Sequence, residues 1–113
     1  MNNYFNRDEF ACSCGCGFAA VDAELLAILT LIRVTFNAPV RISSGCRCHT
    51  YNTKIGGAKN SMHKKGMAAD ITVRGVSPEI IYEFLDSLHE NSKGLGNYHT
   101  FTHVDVRKIK ARF

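Results

Sequence analysis

A chain of 113 residues matches one ordinary domain and is long enough to bury a core without disulfide staples. Its 45% hydrophobic and 21% charged residues exclude a disordered tail, and no apolar run approaches the ~18 residues needed to span a bilayer. The formal charge of +4 is mild, and although four basic residues fall between Arg107 and Arg112, no basic helix with interleaved aromatics accompanies them, so nucleic-acid binding is not expected.

Residues 1–20 read as a Cys-rich arm, with Cys12, Cys14 and Cys16 at every second position. The stretch Met1–Phe10 is polar and lacks the apolar segment of a secretory signal, so synthesis in the cytoplasm is expected. From Asp22 onward Leu25, Leu26, Ile28, Leu29, Ile32 and Phe36 recur at helical spacing. Asp22 suits the cap, and Pro39 stops the helix. Val40–Ser43 reads as a strand. Residues 44–67, rich in Gly, Ser and Asn, predict a loop with one helical turn near Tyr51–Ile55. Ala68–Arg74 is a second strand. Ser77 and Pro78 open a second helix whose buried stripe is Ile80, Ile81, Phe84, Leu85 and Leu88. Gly94 and Gly96 mark a turn, and Phe101–Lys108 alternates as the last strand. The sum is one α+β domain over residues 1–113: two main helices against a small, largely antiparallel sheet.

The segment from Ser61 to Asp70 carries the chemistry. A catalytic zinc takes three protein ligands and leaves one position open for water. His63 ends a flexible loop and Asp70 lies on the strand that follows, with Gly66 allowing the chain to turn between them. A third ligand is expected from a neighbouring strand. There Phe101, His103 and Asp105 share one face, while Thr102, Val104 and Val106 share the other. A single His is more often structural or exposed, and a single Asp at a strand start more often a turn residue. Only the set points to a metal.

These residues resemble the LAS-type zinc peptidases, the D-Ala-D-Ala carboxypeptidase and L-Ala-D-Glu endopeptidase family that includes phage endolysins and has a hedgehog branch. The family motif S-x-H-x-x-G-x-A-x-D is met at Ser61, His63, Gly66, Ala68 and Asp70. An upstream S-G-x-R is met at Ser44, Gly45 and Arg47, followed by Asn52, and the closing aromatic-x-H-x-D at Phe101, His103 and Asp105. The N-terminal run from Phe10 to Gly17 is similar to a subgroup common in phages. The resemblance implies zinc held by His63, Asp70 and His103, on the sheet. It also implies Arg47 as receiver of a substrate carboxylate, with Ser61 touching substrate or orienting the loop. Its implied substrate is a peptidoglycan peptide, met after lysis, through a pore or on a phage particle. A single monomeric catalytic domain is expected, or, failing turnover, a zinc-containing binding module.

One departure matters. Many relatives place Glu or Asp three residues before the last ligand His, where this chain has Thr100. Asp105 is then the first candidate for general base, or else a residue that fixes the ligand His, and His99 is a candidate to stabilise an oxyanion. Cys46 and Cys48 repeat the alternate spacing of the arm beside Arg47. Five cysteines are an odd count, open to three readings: a second, structural zinc, disulfides tying the arm to the Arg47 loop, or reduced thiols. A nucleophilic cysteine beside His49 leaves the His63–Asp70–His103 set unexplained.

Overall fold

Asp22 separates the arm from the first helix. Its carboxylate accepts the N–H groups of Glu24 and Leu25, capping α1 (Ala23–Phe36), which ends at Asn37 in the left-handed region. The computed structural model describes residues 3–113; Met1 and Asn2, part of the arm and of the polar N-terminal stretch, lie outside the described residues. The chain continues through β1 (Val40–Ser44), α2 (His49–Lys54), a 3-10 turn (Met62–Lys65) and β2 (Ala68–Val73). There follow α3 (Pro78–Leu88), capped by Ser77, and then β3 (Gly94–Asn97), β4 (Thr102–Asp105) and β5 (Ala111–Arg112).

The strands form one five-stranded sheet in the order β1-β2-β4-β3-β5. All neighbours are antiparallel except β5, which runs parallel to β3. This is the expected α+β arrangement. Strand alternation divides its residues between two faces. Ala69, Ile71, Val73, Leu95 and Val104 meet Leu25, Ile28, Leu29 and Ile32 of α1 and Ile81 and Leu85 of α3 in the core. Each Leu or Ile so buried contributes about 1.5–3 kcal/mol. The arm joins this core through Phe5 and Phe10, whose rings lie 6.0 Å apart. Asp70, His103 and Asp105 fall on the other face, beneath the loop that links β1 to β2.

Three details depart from the sequence expectations. Gly94 and Gly96 are strand residues, not a turn. A Cβ at Gly94 would strike the Asp105 carboxylate, and one at Gly96 would meet the Tyr98 ring and His103. Their role is close approach. Second, Ile80 and Leu88 are half exposed. The row that enters the core is Ile81 and Leu85, and the next row, 80–84–88, is turned about 100° toward its rim, where Phe84 meets Phe36 edge-on at 5.2 Å. Third, β5 carries no alternation to announce it. Arg112 fixes it, reaching Asp86 at 2.7 Å and the Lys93 carbonyl at 2.8 Å.

Candidate metal centre

Asp70 on β2 and His103 on β4 are direct cross-strand partners. Such partners project side by side, and His103 Nδ1 lies 2.8 Å from Asp70 Oδ1. His63 arrives from the 3-10 turn. Ser61 begins that turn by accepting the His63 N–H at 3.2 Å, and Gly66 ends it at φ +67°, returning the chain to β2. His63 Nε2 stands 3.4 Å from Asp70 Oδ1. Ligand atoms of the three residues lie within 4.8 Å of one another.

The remaining ring nitrogens show how the imidazoles are aimed. His63 Nδ1 is 2.6 Å from the Gly45 carbonyl oxygen. A carbonyl only accepts, so Nδ1 carries the proton and the Nε2 lone pair faces Asp70. His103 Nε2 is 2.8 Å from Asp105 Oδ2, so its N–H points at that carboxylate and Nδ1 faces Asp70. Two neutral imidazole nitrogens and one carboxylate oxygen, each ring oriented by an acceptor behind it, suit a divalent transition metal. Three protein donors leave a fourth position for water.

The electrostatics agree. Burial opposes ionisation of Asp70, but the two imidazoles outweigh it and hold its carboxyl at about 2. Burial likewise disfavours a charged His103, yet Asp105 and Asp70 on its two sides raise its pKa above the ordinary value. A metal cation would compete with a proton for the lone pair of His103 Nδ1. Across the cleft, an Arg47 terminal nitrogen lies 3.8 Å from Asp70 Oδ2. Arg47 donates to Asn52 Oδ1 at 3.3 Å, while its buried Nε has no hydrogen-bond partner among the described residues.

The peptidase M15 family model matches residues 3–105, a span that takes in Arg47 and all three converging residues. This chain belongs to the peptidase M15 family. Membership bears out the resemblance to the LAS-type zinc peptidases and makes the chain a metallopeptidase. A search of curated proteins and one of solved structures each find no significant match.

In this M15 chain the expected catalytic residues are placed unequally. Asp105 shares the face of His103, as the alternation implies, but does not open on the cleft. It is fully buried, and Arg107 binds both of its oxygens at 2.8 Å. Burial would raise its pKa, but His103 and Arg107 hold it far below the carboxylate range. His99 is exposed before β4 and lines a neighbouring hollow with Ser77 and Glu79, apart from the metal set. Ser61 and Arg47 do line the central cleft of about 290 Å³, together with Tyr98 and Phe101. Those two rings stack at 4.6 Å and form a wall that the sequence reading did not single out as a pair. Among the described residues no helix is long and apolar enough to cross a membrane.

Proposed function

We propose that this M15 chain is a zinc-dependent peptidase acting on peptide bonds of bacterial peptidoglycan, of D-Ala-D-Ala carboxypeptidase or L-Ala-D-Glu endopeptidase type. The observation that carries the reading is the convergence of His63 Nε2, Asp70 Oδ1 and His103 Nδ1, with both rings held from behind, next to the Arg47 guanidinium that lines the same cleft. His63, Asp70 and His103 would hold the ion. A bound zinc brings the pKa of its water to about 7 and polarises a carbonyl. Arg47 takes the substrate's carboxylate through two parallel hydrogen bonds and so sets which carbonyl enters the cleft. Tyr98 and Phe101 form the side wall for the peptide. Asp105 is a positioning residue: it fixes the tautomer of His103 and is itself fixed by Arg107. His99 lines the neighbouring hollow and not this cleft, so the proposal gives it no part in the reaction. The enzyme works as a monomer on the wall, reached after lysis or carried by a phage particle.

Muropeptide digests read by mass spectrometry test this. Wild-type protein releases D-Ala or splits L-Ala-D-Glu, His63→Ala and metal-stripped protein do not, and Arg47→Met raises KM while its metal stays bound. Equal product from wild type, His63→Ala and stripped protein refutes the proposal. One observation favours a second reading, a zinc-holding wall-associated module with little turnover: among the described residues lining the cleft, Asp70 is the sole carboxylate. Metal bound at full stoichiometry with no cleavage of any muropeptide would select it.

A further inference from the structure

The cysteines fall into a group of four and a remainder of one. Cys46 is buried alone, its Sγ 3.0 Å from the carbonyls of Phe10 and Phe18. The Sγ atoms of Cys12, Cys14, Cys16 and Cys48 instead lie within 4.8 Å of one another. Three of their separations are nearly equal: 3.5 Å for Cys12–Cys14, 3.8 Å for Cys12–Cys48 and 3.7 Å for Cys14–Cys48. Four sulfurs bound tetrahedrally at the Zn–S distance of 2.3 Å stand about 3.8 Å apart. The three measured separations match three corners of a tetrathiolate cage, and Cys16 lies within 4.8 Å to supply the fourth.

We infer that Cys12, Cys14, Cys16 and Cys48 bind a second zinc ion, structural in role and separate from the peptidase centre. The backbone is shaped for it. Gly15 sits at φ +84° with open space where a Cβ would be, so this glycine serves the turn that brings Cys14 and Cys16 round, not close packing. The Cys48 N–H donates to Cys12 Sγ and the Tyr51 N–H to Cys48 Sγ, both at 3.4 Å, and such bonds offset thiolate charge. Lys54 lines the same hollow and adds a positive charge. Four S–H protons leave to solvent as four S–Zn bonds form. The chelate would join the arm to the residue next to Arg47. All four positions are filled by protein, the closed arrangement of a structural site, whereas the His63 centre keeps one open.

Without an ion the Cys12 and Cys14 thiols are shifted in opposite directions. Cys16, hydrogen-bonded to Cys14, heads the groups that push the Cys14 thiol up to about 12. At Cys12 burial opposes ionisation, but N–H groups of Cys14 and Cys48 outweigh it and hold the thiol at about 7.

The test uses the full chain, expressed with zinc and purified under reducing conditions. Elemental mass spectrometry should find two zinc ions per chain in wild type, and one in each of His63→Ala and Cys14→Ser. His63→Ala removes the peptidase centre, so its remaining ion reports on the cysteines alone, whatever becomes of the proposed activity. Cobalt-substituted His63→Ala should show intense thiolate-to-cobalt charge transfer, a readout that does not need Cys14→Ser to fold. In the zinc form, the exposed Cys14 and Cys16 should alkylate slowly until a chelator is added. No metal in His63→Ala, an absent charge-transfer band, fast alkylation of the untreated protein, or an intact mass showing disulfides among the four would each overturn the inference.

Discussion

The two faces of the sheet are held by different forces. Toward α1 and α3, β2 and β4 offer Ala69, Ile71, Val73 and Val104, whose contribution is area removed from water and is indifferent to direction. Toward the loops they offer Asp70, His103 and Asp105, where every nitrogen and oxygen needs a partner in a set position. The first face tolerates exchange of volume for volume. The second does not, because removing one member leaves its neighbours buried and unpaired. Since β2 and β4 serve both faces at once, damage to one can be told from damage to the other.

Removing a ligand is expected to have the largest effect. His103→Ala should lose the metal of the peptidase centre and bring hydrolysis to background, with circular dichroism showing the fold retained; full activity would mean the polar face is not the working face. Next comes a cavity on the other side. Leu29, fully buried in α1, becomes Leu29→Ala at a cost of about 2–5 kcal/mol in urea unfolding. Metal affinity of the folded fraction should not change, and a parallel loss would show the faces to be coupled.

Smaller, and more informative about chemistry, is Asp105→Asn. As a positioning residue it should cost about 10–100-fold in metal affinity. Turnover lost with affinity intact would instead make Asp105 the base. The smallest effect expected is graded with pH. The metal-free His103 pKa is raised above its ordinary 6.5, and the metal competes for the same nitrogen. Affinity should therefore fall as pH falls, beginning above 6.5, by about tenfold per pH unit for the one proton displaced. The apoprotein runs the other way: a raised imidazole stabilises the fold below 6.5, and that stability is lost as pH rises through the raised value. Chelator competition and urea titration across neutral pH check both signs.

What the sequence made legible follows the same division. Asp22 before an apolar stripe and Ser77-Pro78 before another announced α1 and α3, because caps and periodicity are local. The His63–Asp70 segment and His103 were legible through the family pattern and strand alternation. Gly94 and Gly96 were misread as a turn because their reason stands on the adjacent strand, in Asp105 and His103. For Asp105 the sequence leaves two roles open, general base or a hold on the ligand His, since alternation gives the face of a side chain but not what already occupies its oxygens. Arg107, two residues on and on that face, was the available signal. β5 rests on backbone pairing with β3 and on the contacts of Arg112, and has no local pattern to announce it.

One consequence of the strand order concerns divergence. The strands that carry Asp70 and His103 are neighbours inside the sheet, while Ala58, Ser61 and Tyr98 reach the cleft from connecting segments. Grafting those segments from other peptidases should change which peptide enters the cleft while leaving the strands that present Asp70 and His103 in place.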